Sequence, residues 1–246
     1  MDEQKFNRVE KKYLLTKQQY KRVLSIVRAH MEKDEYFRSS VYNLYFDTDN
    51  YDLIVQSIDR PLFKKKFRAR GYGGYDKVFL EIKTKLLKEI SEMEDSNLGY
   101  KRRILLSHRD FDTFLSDGEA YKIIAGKENP SQVDLQIARE VDYFKNHFNL
   151  KPKIMVRYKR ESYAGVNGLR ITFDKDLKYR TSHLSLNDRQ EDKNYFKNGK
   201  NIIMEVKTHV AMPMWLVYIL SKEQIYPERF SKIGKIYEQI RKEKNV

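Results

Sequence analysis

Residues 67–85 read FRARGYGGYDKVFLEIKTK, two runs in which charged and apolar side chains alternate on either side of a glycine-rich centre. Successive residues of a strand point to opposite faces, so Glu81 and Lys83 share one face while Val78, Leu80 and Ile82 share the other. Arg68 and Arg70 share a face by the same rule. The glycines of GYGG supply a turn, and the stretch reads as a hairpin of residues 64–70 and 77–84. A strand with one charged face belongs either to a sheet open to water or to a sheet whose charged side encloses a ligand.

The pattern recurs elsewhere. Of five Glu-x-Lys triplets, Glu3–Lys5 and Glu191–Lys193 lie in wholly polar surroundings, where chance accounts for them. Glu10–Lys12, Glu81–Lys83 and Glu205–Lys207 instead sit in apolar or aromatic strands, as in VFLEIKT and IIMEVKT. For any one strand a solvated face is the simpler account. Several such strands, together with amphipathic helices that must cover an apolar surface, point to a curved sheet with helices outside and charge inside. Buried charges need partners, so such an interior combines ion pairs with a bound polyanion or metal.

The rest of the chain is consistent with one α+β domain of mostly antiparallel strands over residues 1–246, with no linker and no fixed repeat. Residues 8–15 alternate as a first strand. A helix follows, with Thr16 as N-cap, Gln19 at the capping-box position, and Tyr20, Val23, Leu24 and Val27 at helical spacing. VYNLYFD (41–47) reads as a strand and TDNYDLIVQSI as a short helix ending before Arg60-Pro61. Residues 101–107 suggest another strand. Ser107 and Ser131 then cap helices, Gly118 marks a stop, and strands return at 153–162, 169–174 and 202–208 around a GVNG turn. The polar run 185–201 reads as a loop. Two closing helices open at Pro213 and Ser231, the second with Ile233, Ile236, Tyr237 and Ile240 on one face.

Composition narrows the function. The chain of 246 residues has 49 Lys plus Arg against 35 Asp plus Glu, a net charge of +14, so its field gathers polyanions. Cysteine is absent, which excludes disulfides, thiolate zinc sites and cysteine nucleophiles. The five histidines, His30, His108, His147, His183 and His209, show no metal-ligand spacing. The N-terminus lacks the apolar core of a signal peptide, and the longest apolar run, AMPMWLVYIL, is about half a bilayer span. A cytoplasmic protein is the expectation.

The blocks EKKYLL, YFDT, FRARGYG, FLEIK, YKRRI, YKRESY, LRITFD, IMEVK and RFSKIGK, in this order over nearly the whole chain, resemble the VTC domain, the polyphosphate polymerase branch of the triphosphate tunnel metalloenzymes (the CYTH-like superfamily). The resemblance implies an antiparallel β-barrel tunnel flanked by helices, ATP and inorganic polyphosphate as substrates, and manganese or magnesium as cofactor. Carried over by position, it makes Lys12, Arg68, Arg70, Lys83, Lys101, Arg160, Arg170 and Lys207 ligands of the triphosphate or the growing chain. Glu205 becomes the metal carboxylate, with Glu10 and Glu81 in support. Arg229, Ser231 and Lys232 match the block on the last helix, where the family often has Lys in place of Arg229. The regulatory and membrane portions of the family's eukaryotic members have no counterpart in this sequence; export through a separate membrane protein is compatible with that.

Transfer of a γ-phosphoryl group needs charge neutralisation and in-line positioning more than covalent help, and a terminal phosphate acceptor is already ionised. No general base is then expected. Three alternatives stay open. One is a triphosphatase on the same fold; that branch opens on Glu-x-Glu-x-Lys, whereas this chain has Arg8-Val9-Glu10-Lys11-Lys12. The second is a non-catalytic polyphosphate-binding module. The third is a nucleic-acid binder using its 18 tyrosines for stacking, for which no signature is present.

Overall fold

The computed structural model describes residues 9–59, 63–74, 76–86, 99–116, 118–186, 192–196 and 202–244. Arg8, Glu3–Lys5, Arg60-Pro61, Glu191 and much of the expected loop 185–201 lie outside them. Along the chain run β1 (Val9–Leu15), α1 (Lys17–His30), β2 (Glu32–Asp47), α2 (Asp52–Asp59), β3 (Phe63–Tyr72), β4 (Val78–Leu86) and β5 (Gly99–Leu106). Then come α3 (His108–Leu115), α4 (Ala120–Ala125), α5 (Gln132–His147), β6 (Lys151–Ala164), a 3-10 turn (Val166–Gly168) and β7 (Arg170–Arg180). The chain closes with β8 (Lys193–Asn194), β9 (Ile202–Thr208), α6 (Met214–Lys222) and α7 (Lys232–Lys244). The strands pair in the order β1-β9-β7-β6-β2-β3-β4-β5, with β8 beside β7, in one large antiparallel sheet.

Two compact units divide the chain. The first takes residues 1–40, 157–178 and 193–231, the second residues 41–156, 179–192 and 232–246. Neither is contiguous in sequence, and β2, β6 and β7 lend residues to both.

Each unit has its own core, made from the apolar faces that alternation defines. In the first, Tyr13 and Leu15 of β1, Ile171 and Phe173 of β7, and Ile202, Met204 and Val206 of β9 pack with Val23 and Val27 of α1 and Leu216 of α6. In the second, Phe67 and Ala69, Leu80 and Ile82, and Ile104 of β3 to β5 pack with Phe111 and Phe114 of α3 and Val141 of α5. Removing each such side chain from water is worth about 1.5–3 kcal/mol, and this holds the helices against the apolar side of the strands. The charged side is thereby left for other work.

Local signals set the helix starts. Thr16 Oγ1 accepts from Gln19 N at 3.2 Å while Gln19 Oε1 accepts from Thr16 N at 3.0 Å, the reciprocal pair expected of a capping box. Ser107 and Asp110 repeat it before α3. Carboxylates from elsewhere in the chain cap two more helices. Asp47 accepts from Leu53 N at 2.9 Å and Ile54 N at 3.0 Å in α2, and Asp142 accepts from Ala120 N and Tyr121 N of α4 at 2.7 Å each. At Gly118 a Cβ would meet the Thr113 carbonyl oxygen at 2.5 Å, so only glycine fits the chain's exit from α3. Gly74, at φ +87°, makes the turn between β3 and β4.

Two strands run further than the sequence suggests. β2 begins at Glu32 rather than Val41, because EKDEYFRSS is mostly polar and its two aromatics, Tyr36 and Phe37, are adjacent, so no alternation can be read. β7 continues beyond Asp174 to Arg180, burying Leu177 and Tyr179 past Asp176, whose φ is +54°. Among the described residues no helix is long and apolar enough to cross a membrane.

Candidate functional site

In the second unit the charged face is assembled by register. Tyr45 lies opposite Arg68 and Asn43 opposite Arg70; Arg68 in turn lies opposite Glu81, Glu81 opposite Arg103, and Lys83 opposite Lys101. Glu81, only 3% exposed, is the hub. Its Oε2 accepts from Arg68 Nε at 2.7 Å and lies 2.6 Å from Arg68 Nη2, its Oε1 pairs with Lys101, and Arg70 Nε stands 3.9 Å away. Arg70 Nε donates to Asn43 Oδ1 at 2.8 Å, and Arg68 Nη1 donates to the Tyr45 hydroxyl at 3.2 Å. The exposed Lys83 stands beside Lys101 in this register.

The electrostatics follow from one carboxylate among several cations. Burial alone would raise the Glu81 pKa, but Arg68, Arg70 and Lys101 outweigh it and hold it at about 2. Burial lowers Lys101, and Arg68 and Arg70 add to this against the pull of Glu81. The carboxylate is thus strongly stabilised while its third cation gains little. Tyr45 is buried, which raises its phenol, yet Arg68, Lys66 and Arg70 together bring it down to about 8. A face that stabilises carboxylate and phenolate this strongly is built to take anionic oxygen.

In the first unit two rows cross the strands. Lys12, Glu205 and Thr172 form one row and Glu10, Lys207 and Arg170 the next, each member directly opposite its neighbour on β1, β9 and β7. Lys207 pairs with Glu205 and lies 3.7 Å from Glu10, while Lys12 is 3.2 Å from Glu10. Arg170 Nε lies 2.9 Å from Asp34. Arg160 makes a two-point pair with the fully buried Asp174, at 2.6 and 2.7 Å. Burial would lower the Arg160 pKa, but Tyr158, Asp174 and Glu205 raise it well above its ordinary value and keep the guanidinium charged. Below this face Glu161 gathers Tyr20, Arg38 and Lys175.

The RFSK block meets β1. Lys12 Nζ donates to the Phe230 carbonyl at 3.2 Å, and the Lys12 carbonyl accepts from Glu228 N at 2.7 Å. Arg229, between them, is exposed, Phe230 is buried, and Ser231 stands directly before α7, whose first residue is Lys232. The site candidates are therefore divided, with Arg68, Arg70, Lys83, Lys101, Glu81 and Lys232 in one unit, and Lys12, Glu10, Glu205, Lys207, Arg160, Arg170, Arg229 and Ser231 in the other.

Sequence reasoning missed Asn43, Tyr45, Asp34, Thr172 and Asp174. The alternation in VYNLYFD and LRITFD did place Asn43, Tyr45, Thr172 and Asp174 on polar faces, since their neighbours Leu44, Phe46, Ile171 and Phe173 are core residues. Nothing in the sequence says which arginine each one serves.

Among the described residues no three of His, Asp and Glu gather into a metal cluster. Glu205, buried and beside Lys207, offers one carboxylate, with Glu10 across the same ammonium. Such a donor set fits a magnesium- or manganese-type ion that takes most of its oxygens from phosphate and water, and does not fit an all-protein cage.

The family model of the VTC domain matches residues 7–240. The chain belongs to the VTC domain family. Solved structures extend the likeness to the fold of this VTC domain. A candidate adenylyl cyclase from Hippeastrum with a dominant triphosphatase activity matches with a TM-score of 0.56 at 15% identity, over 94% of this chain and 96% of the other. A candidate adenylate cyclase from Bacillus halodurans matches with a TM-score of 0.50 at 15% identity, over 91% and 93%. No curated protein gives a significant sequence match. This VTC domain accordingly has the triphosphate tunnel fold.

Proposed function

We propose that this VTC domain is an ATP-dependent polyphosphate polymerase, passing the γ-phosphate of ATP to the end of an inorganic polyphosphate chain. The observation that carries the reading is the cation-rich face around Glu81, in a chain whose family match spans nearly its whole length. Arg68, Arg70, Lys83 and Lys101 would bind and orient phosphates and offset their charge as bonds shift, a role we also assign to Arg160 and Arg170. Lys12, Lys207, Arg229, Ser231 and Lys232 would hold the remaining phosphates or the acceptor chain. A terminal phosphate attacks as an oxyanion, so no side chain need remove a proton. Glu205 would hold manganese or magnesium with Glu10 in support, and the ion would supply charge neutralisation between phosphates.

A triphosphatase is the second reading, favoured by the likeness to the Hippeastrum protein. Against it stands the first strand, where the described residues begin at Val9 and Glu10 is the single carboxylate of β1. An attacking hydroxide would be poorly served by so few acids. Purified protein incubated with ATP and manganese decides among the readings. Long polyphosphate on a gel supports the polymerase, free phosphate without polymer supports the triphosphatase, and binding without turnover leaves a polyphosphate-binding module. A cytoplasmic location and a membrane partner for export belong to the same proposal.

A further inference from the structure

Thr172 is 2% exposed, and its hydroxyl oxygen has no hydrogen-bond partner. A buried hydroxyl left unsatisfied normally destabilises a protein, and a strand accepts valine in the same shape without that cost. The neighbours on the same strand, Ile171 and Phe173, are ordinary core residues that face the other way. Thr172 faces the charged side, directly opposite Glu205, which is itself directly opposite Lys12. Two residues earlier on the same face, Arg170 Nε is also buried and makes no hydrogen bond, although it is ion-paired with Asp34 at 2.9 Å.

What a ligand would meet here is a set of donors. The side chains of Lys12, Lys207 and Arg170 keep 29%, 22% and 40% of their surface exposed. Glu205 and Asp34 keep 9% and 18%, so two of the three carboxylates sit deeper than the cations they serve, and Glu10 at 38% is the exception. Glu205 is engaged by Lys207, and the Thr172 hydroxyl makes no hydrogen bond to it or to any other group of the protein. A surface of ammonium, guanidinium and hydroxyl donors selects an oxyanion.

We infer that the Thr172 hydroxyl is a phosphate ligand, donating to one oxygen of a bound triphosphate that Lys12, Lys207 and Arg170 surround. This deepens the reading above and rests on it. In the ligand-free protein the hydroxyl carries an unmet bond, and phosphate satisfies it, so Thr172 trades stability for binding.

The test compares the parent with Thr172→Val and Thr172→Ser, using inorganic tripolyphosphate in metal-free buffer with a chelator. Calorimetry should show Thr172→Val binding about tenfold or more weakly and Thr172→Ser within about threefold of the parent. Thermal unfolding gives an independent signature. Without ligand Thr172→Val should melt at or a few degrees above the parent, since the unsatisfied hydroxyl is gone, and its upward shift on adding tripolyphosphate should be smaller. A valine variant that binds tripolyphosphate as the parent does overturns the inference. So does one whose only change is a higher manganese requirement for turnover, because the hydroxyl would then serve the cation. Should the parent itself fail to bind tripolyphosphate, the proposed function falls as well, and the two failures are thereby told apart.

Discussion

Replacing Glu81 with Gln keeps the shape of the hub and removes its charge, leaving Arg68, Arg70 and Lys101 without their shared carboxylate. The magnitude follows from linkage. Holding the Glu81 pKa at about 2 instead of 4.5 corresponds to about 3 kcal/mol, at about 1.4 kcal/mol per pH unit. Lys101 adds little, because burial and the two arginines lower its own pKa. For a chain of this size a loss of about 3 kcal/mol lowers the melting temperature by roughly 6–12 °C. The sign of the pH dependence is set by the depression: the stabilisation is complete above the unfolded pKa and is lost as pH falls towards the folded one. The gap between parent and Glu81→Gln should therefore be full at pH 7, smaller by about 1 kcal/mol at pH 3.5, and closing towards pH 2. Tripolyphosphate should raise the melting temperature of the variant more than that of the parent, since an added anion can take the place of the missing one. Urea unfolding at pH 7 and 3.5 measures the gap and its pH dependence, and thermal unfolding with and without tripolyphosphate measures the shift in melting temperature. A gap of equal size at both pH values would refute the hub, as would an unchanged variant at pH 7.

Other outcomes follow from the same geometry. Glu205→Gln should abolish metal-dependent turnover with the far-ultraviolet spectrum unchanged, and near-normal activity at limiting manganese would remove Glu205 from the metal assignment. Arg68→Ala and Arg70→Ala should each weaken triphosphate binding by about 1.5–3 kcal/mol, with Lys restoring only part because the planar fork is lost; equal affinity by calorimetry would take these arginines out of the site. Tyr45 should ionise near pH 8, held there by Arg68, Lys66 and Arg70 against its burial, so an ultraviolet titration should lose its first phenolate step in Tyr45→Phe. Because this pKa is depressed, the phenolate's contribution to stability grows as pH rises from 8 to 10 and is absent below 8. Replacing Arg229 and Lys232 together with Ala should suppress polymer synthesis beyond rescue by added manganese, and polymer made at the parent rate would leave the RFSK block a structural cap only.

What the sequence alone determined is whatever depends on near neighbours in the chain. Side chains alternate along a strand by covalent geometry, so Glu81 and Lys83 opposite Leu80 and Ile82, or Glu205 and Lys207 opposite Met204 and Val206, were legible before any pairing was known. The caps of α1 and α3 were legible for the same reason, since Thr16 reaches Gln19 and Ser107 reaches Asp110 within a turn. The first half of β2 was not, because a mostly polar segment without alternation owes its strand conformation to its partners in the sheet. Register decided the rest. Only the pairing of β3 with β2 and β4 makes Tyr45 and Glu81 the two sides of Arg68, and only the pairing of β9 with β1 and β7 sets Lys12 and Thr172 on either side of Glu205. A shift of one residue in any of these pairings would leave every local pattern in the sequence intact and send the charges to different partners, since charge pairing acts across space between residues far apart in the chain.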